Sequence, residues 1–376
     1  MKGKIGHKPA FLALVVSRYN RVSPVIIPKS LARSMPLHST TPGSEVRRYG
    51  RVAVIGAGAW GTALAAVAAA AGASVSLWAR ERDVVESIGA RRENARFLRG
   101  VQLPVGIEPT LDIAGATGGA DAILLTSPAQ HLRAMLLSLQ AHVKPGTPLV
   151  ICAKGIELGT GLLVTEVLQA IAPKAEPAVL SGPSFARDVA KNLPTAVTIA
   201  ARADIAARLS LTLGRPAFRP YASEDLVGVA LGGAAKNVYA IACGIVEGAG
   251  LGESARAATM SRGFAELLRL GAALGARPET LMGLSGLGDL VLTATSLSSR
   301  NFSFGFALGQ GTPLSAASAE GRPLAEGAAT APALVARAKK QGVELPIAEA
   351  VADVLKGALD VKGAVDRLLS RPLRPE

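Results

Sequence analysis

Apolar and polar positions along this chain follow two rhythms. Between about residues 51 and 220, short apolar runs recur at 52–55, 75–78, 122–125, 149–153, 178–180 and 196–200, and each ends in glycine, proline or polar residues. Runs that short, separated by helical-period stretches, predict the strands of a parallel doubly wound sheet. In such sheets ligands bind beyond the carboxyl ends of the strands. Ser127, Lys154 and residues 182–186 therefore belong to one predicted crevice. Beyond about residue 220 the runs stop, and a 3.6-residue period predicts helices near 225–246, 255–274, 280–282, 328–341, 347–356 and 361–369. Ser223 is the predicted cap of the first, and Pro346 and Pro372 punctuate the later ones. The glycine-rich stretch 305–321 reads as a mobile loop.

The first strand runs straight into Gly56, Gly58 and Gly61 at GxGxxG spacing, and an alanine-rich helix follows. Gly56 suits a sharp turn, Gly58 lets backbone approach a pyrophosphate, and Gly61 lets helix and strand pack closely. The anion then sits on unpaired amides at the helix N-terminus. A bare GxGxxG is weak evidence, but strand, turn, helix and a second strand in order make a dinucleotide site the better reading than a structural turn. After the second strand stands Arg80, followed by Glu81 and Arg82. An arginine there accommodates the 2′-phosphate of NADP, whereas NAD enzymes commonly carry an acid. NADP is thus preferred over NAD, with a solvated charge cluster as the alternative.

At 376 residues the chain exceeds the ~250–300 at which single cores stop growing, so two domains are expected. The pattern divides it into a disordered basic extension at 1–48, a dinucleotide-binding domain at 49–220 and an all-helical substrate domain at 221–370. The net charge of +13 is mostly a property of the extension, which holds nine Lys or Arg against the single acid Glu45. The remainder carries only a small excess, which argues against nucleic acid as a partner. The extension resembles an organelle transit peptide in composition, and a disordered tail or true initiation near Met35 explains it equally well. No apolar run approaches the ~20 residues of a membrane span. Two isolated cysteines, Cys152 and Cys243, point to a reduced compartment, and four scattered histidines offer no metal pair.

Four polar residues stand out in the second half. Lys236 and Asn237 lie in a helix otherwise made of small and apolar residues. Lys236 either snorkels to solvent or faces the crevice, where desolvation lowers its pKa toward a range useful for proton transfer. Asp289 follows a glycine-rich turn and precedes an apolar run, an odd place for a carboxylate that binds nothing. Arg300, between Ser299 and Asn301, forms a donor-rich cluster suited to phosphate, because a guanidinium fork bonds two anionic oxygens at once.

Together the strings GAGAWGTALA, KGIE from Lys154, SGPSFARDVA, LGGAAKNV, GLGDLVLT and SRNFSFG resemble bacterial NAD(P)-dependent glycerol-3-phosphate dehydrogenase, in order and spacing, from about Arg51 to Lys356. The resemblance implies an N-terminal Rossmann-like sheet, an all-helical C-terminal domain, and reduction of dihydroxyacetone phosphate to sn-glycerol 3-phosphate. It implies Lys236 as the active-site residue, with Lys154 touching both cofactor and substrate. Gly182, Ser184, Asp289, Ser299, Arg300 and Asn301 become substrate contacts, and Arg300 also neighbours the cofactor. Trp60, Arg80, Ala186, Leu324 and Glu326 match cofactor positions. Ala59 replaces a common serine, at little cost if its amide holds the pyrophosphate, and Asp188 replaces a common glutamate. A cytoplasmic homodimer feeding phospholipid synthesis is implied as well. The rivals are a β-hydroxyacid dehydrogenase of related architecture and a noncatalytic NADP-binding protein.

Overall fold

The computed structural model describes residues 46–319 and 325–372. The expectations for the extension therefore lie outside the described residues, except at 46–48. There Arg48 donates to Ala71 O at 2.6 Å, and Arg208 donates to Arg47 O. Eight strands form one sheet: β1 (Arg51–Ile55), β2 (Ser74–Trp78), β3 (Ile107–Thr110), β4 (Ala122–Leu125), β5 (Pro148–Ile151), β6 (Glu176–Ser181), β7 (Thr195–Ala200) and β8 (Phe218–Ser223). Their spatial order is β3-β2-β1-β4-β5-β6-β7-β8, so the chain reverses direction across the sheet between β1 and β4.

All neighbouring strands are parallel except β6 and β7, which pair antiparallel through Leu180 and Ile199. The expected parallel doubly wound sheet is interrupted only there, because just the five-residue helix Ala186–Ala190 follows β6 before the chain returns. Two further strands, β3 and β8, were not anticipated. Both are edge strands and both contain a proline, Pro109 and Pro220, which a central strand cannot accommodate.

The central strands are apolar on both faces because helices cover both. Val52 and Val54 of β1 pack into one core with the helix Ala59–Ala70. Ala53 and Ile55 pack into the other, with Leu132, Leu136, Val167 and Leu168 from the opposite layer of helices.

β8 ends at Ser223, and the long helix Leu226–Gly248 begins directly afterwards. Its cap is Asp225, which accepts from Gly228 N at 2.7 Å, whereas Ser223 accepts from Asp225 N one step earlier. The expected cap is thus displaced by two residues. This helix is the axis of the helical half, and residues 228–246 along it are all buried. By length and hydropathy it could cross a membrane, which corrects the reading that no segment approaches that length, yet its apolar window is wholly buried inside the protein. Gly305 and Gly309 correct the loop expectation in the same way. They lie in the helix Arg300–Gly309 and rest against Ile241 O and Ile245 O of the long helix. A second short helix, Leu314–Ala317, follows, and residues 320–324 lie outside the described residues. Glycine serves close helix packing here rather than chain freedom.

Candidate active site

The glycine turn is built as its spacing predicts. Gly56 has φ of +111°, a conformation strained for any residue with a side chain, and Gly56 N donates to Trp78 O at the end of β2. A Cβ on Gly61 would strike Gly56 O, which fixes how closely the helix sits on the turn. Gly58 differs: it is exposed, and a Cβ there would meet nothing within 4 Å. It begins the helix Ala59–Ala70 without any side-chain cap. An open floor at uncapped first-turn amides fits the pyrophosphate of a dinucleotide. Trp60 Nε1 is buried beside it without a protein partner among the described residues. Arg80 is largely exposed and donates to Glu81 Oε1 at 3.0 Å, two residues past the paired position Ile55–Trp78.

On the far side of the switch point, β5 delivers Lys154. Its ammonium donates to Asp289 Oδ2 at 2.7 Å and to Gly182 O at 3.2 Å. Gly182 follows β6 with φ of +148°, and a Cβ there would meet Val197 Cα of β7 at 2.9 Å, so close strand contact demands glycine. Lys236 reaches the same carboxylate from the long helix. It donates to Asp289 Oδ1 at 2.7 Å and to Thr293 Oγ1 at 2.6 Å, and it is only 6% exposed, so it does not snorkel. Thr293 in turn donates to Asp289 Oδ1 at 3.3 Å. An ammonium has three donors, so each lysine keeps one unspent beyond these partners.

Burial pushes the Lys236 ammonium down to about 8, Asp289 pulls it back up, and Lys154 lowers it further. Burial pushes the Asp289 carboxyl up, but the two lysines outweigh it and hold it below the ordinary range. Glu326, at the start of the helix Glu326–Lys340, has its carboxyl raised by burial against the opposing pull of Arg300, Lys154 and Lys236. Both Glu326 and Arg300 thus border this cluster.

The remaining sequence candidates divide. Arg300 is exposed at the first position of its helix, where a cation opposes the helix dipole. Ser299 caps that helix by accepting from Phe302 N at 3.2 Å. The Asn301 amide bonds Asn237 Oδ1 and accepts from Gly327 N, both at 2.9 Å, so it ties three helices together. Ser184 donates to Gly182 O within its own loop, and Ala186 opens the short helix packed on the sheet. Leu324 lies outside the described residues. Thr293 was not among the sequence candidates, and Asn237, singled out as a polar residue in an apolar helix, was given no role at the site. Thr293 was findable as the residue one helical turn beyond Asp289, on the same face.

A doubly wound sheet with an open glycine turn, facing a helical half that sends a lysine into the crevice, defines the two-part nicotinamide-nucleotide dehydrogenases. The profile described as NAD-dependent glycerol-3-phosphate dehydrogenase N-terminus matches residues 51–207, and the corresponding C-terminus profile matches 225–366. The protein named glycerol-3-phosphate dehydrogenase (NAD(P)+) of Parvibaculum lavamentivorans is 56% identical over 329 residues, which is 87% of this chain and 98% of that protein. Its namesake in Rhodospirillum rubrum is 56% identical over 326 residues, 86% of this chain and 93% of that one. The crystal structure of glycerol-3-phosphate dehydrogenase from Coxiella burnetii superposes with a TM-score of 0.82 at 37% identity, over 87% of this chain and all of that one. The chain belongs to the NAD-dependent glycerol-3-phosphate dehydrogenase family.

Proposed function

We propose that this chain interconverts dihydroxyacetone phosphate and sn-glycerol 3-phosphate with NADP, in preference to NAD, and that the following residues divide the work. The turn Gly56-Ala57-Gly58-Ala59-Trp60-Gly61 holds the pyrophosphate through backbone amides. Trp60, Ala186, Leu324 and Glu326 complete the nucleotide contacts, and Arg80 receives the 2′-phosphate. When bound, the nicotinamide nucleotide supplies the hydride.

As the ketone carbon is reduced, its oxygen gains charge and needs a proton. Lys236 donates it, with Lys154 stabilising the oxyanion through its unspent donor. Asp289 is the common anchor that keeps both ammonium groups aimed at one point. Arg300 grips the phosphate, while Ser299 and Asn301 hold the start of its helix in place; Gly182 and Ser184 line the substrate side. Two ammonium groups and a guanidinium against the carboxyl groups of Asp289 and Glu326 still leave surplus positive charge for a dianionic substrate. The observation that carries this reading is the convergence of Lys154 and Lys236, from different halves of the fold, on the single buried carboxylate of Asp289.

The proposed nucleotide half spans 49–220 and the substrate half 221–370, a boundary that falls inside β8 (Phe218–Ser223), three residues before the strand ends. We also propose a cytoplasmic homodimer that supplies phospholipid synthesis. A substrate panel followed by loss of NADPH absorbance tests the reading. Dihydroxyacetone phosphate should be reduced, unphosphorylated dihydroxyacetone far less well, and β-keto acids not at all. Preference for a β-keto acid would move the chain to a carboxylate substrate.

A further inference from the structure

Thr126 and Ser127 follow the end of β4 as adjacent hydroxyls, and the protein uses only one of them. Thr126 Oγ1 shares its proton between Ile55 O at 3.0 Å and Gly56 O at 2.7 Å, which pins the glycine turn to the neighbouring strand end. Ser127 is 7% exposed, yet its Oγ has no protein partner among the described residues. Burying a hydroxyl without a partner is unfavourable, and nothing in the protein compensates Ser127 Oγ among the described residues.

The sheet supplies its surroundings. β4 lies between β1 and β5, and the strand order reverses between β1 and β4, where ligands of open α/β sheets bind. A Cβ on Gly56 would stand 3.4 Å from Ser127 N, so Ser127 abuts the pyrophosphate turn on one side. Cys152 N bonds Leu125 O, which brings the start of the Lys154 segment beside it on the other. Pro128 follows and has no N–H of its own. The one unspent side-chain hydroxyl at this strand end thus stands between the turn and the lysine cluster, where the hydride-carrying half of a nicotinamide nucleotide would lie.

We infer that Ser127 is a cofactor-binding residue whose hydroxyl bonds the nicotinamide riboside half of the nucleotide, and not a structural serine. The inference rests on the nucleotide assignment made above and adds to it a contact that the GxGxxG turn does not supply. Removing a single neutral hydrogen bond should weaken binding roughly three- to tenfold.

The test compares the full-length parent chain with Ser127→Ala, without substrate, by titrating the intrinsic tryptophan fluorescence. One titrant is NADPH or NADH, whichever the parent binds more tightly, and the other is the matching adenosine diphosphate half. Thermal melting of both free proteins is measured alongside. The expected result is weaker binding of the whole nucleotide, unchanged binding of the adenosine half, and a free variant at least as stable as the parent, because an unpaired buried hydroxyl has been removed. A variant that binds both titrants as the parent does, loses both equally, or melts several degrees lower overturns the assignment. A parent that binds neither nicotinamide nucleotide overturns the cofactor reading itself, which the melting comparison with Ser127→Ala leaves separate.

Discussion

Lys236 Nζ lies 2.7 Å from Asp289 Oδ1, and both side chains are almost entirely shielded from solvent. A charge pair so buried is held by its geometry, because neither member can be solvated alone. Lys154 takes the other oxygen of the same carboxylate, so Asp289 is the member whose loss strands two cations. Asp289→Asn should cost about 3–5 kcal/mol of stability, read as a lower urea midpoint, and should reduce turnover as well. A variant that unfolds like the parent would show that the carboxylate does not hold the lysines.

The depressed lysine makes the reaction direction pH-dependent. In the proposed role Lys236 donates its proton in ketone reduction only while charged, and its value lies at about 8. The kcat/KM for reduction should therefore decline above about pH 8, while the alcohol oxidation, which needs the neutral amine, should rise across the same range. The stability effect has its own sign. The folded value lies below the ordinary 10.5, so the unfolded chain binds more protons between about 8 and 10.5, and this group's contribution to stability rises with pH in that window. Profiles in both directions check the first point. Flat profiles from pH 7 to 9 would exclude Lys236 as the titrating donor.

Two glycines should separate binding from folding. Ala at Gly58 meets no atom within 4 Å, so Gly58→Ala should melt like the parent and lose nucleotide affinity. Ala at Gly305 strikes Ile241 O on the long helix, so Gly305→Ala should lose roughly 1–3 kcal/mol of stability, as overpacked cores do. Calorimetry on both variants, with nucleotide titration of the first, checks the pair. Equal melting losses would mean that Gly58 is also a packing glycine.

These two glycines also show where the sequence was informative. The strands buried on both faces announced themselves as continuous apolar runs, and GxGxxG could be placed because a strand ran into it. β3 and β8 were hidden because edge strands carry little apolar signal and here each holds a proline. The second half of the helix Arg300–Gly309, from Gly305 on, read as a loop because glycine looks alike whether it frees a chain or lets two helices touch. Lys154, Lys236 and Asp289 were each legible as unusual residues. The family resemblance placed all three at one site, with Asp289 orienting Lys236, but the direct pairing of Lys154 with Asp289 was not legible, since the two are 135 positions apart and meet only through the packing of the two halves. The commitment of Asn301 to Asn237 and Gly327 was equally invisible, because a motif names a residue without saying where its amide points.

Glu266 predicts a further pH effect, away from the crevice. It is 2% exposed and accepts from Ile347 N at 2.7 Å and Ala348 N at 3.3 Å, at the start of the helix Pro346–Leu355. Burial pushes its carboxyl up to about 7, against the pull of those two amides and of Arg269. A folded value above the unfolded one gives stability that is complete below about 4.5 and is lost as pH rises through about 7. Glu266→Gln keeps an acceptor without the charge, so it should gain on the parent, by on the order of 2–3 kcal/mol at most, between pH 5 and 8. Glu266→Ala should be destabilised at every pH by roughly 1–3 kcal/mol, since both amides lose their partner. Melting curves across that range decide it, and parallel curves for parent and Glu266→Gln would refute the raised value.

The most direct test of the account is steady-state reduction of dihydroxyacetone phosphate by full-length protein and by Lys236→Ala, with NADPH and NADH in parallel at saturating substrate. The account predicts turnover by the parent with either nucleotide, better with NADPH, and a loss of ~10²–10³ in kcat for the variant. Near-parental kcat in Lys236→Ala would contradict it.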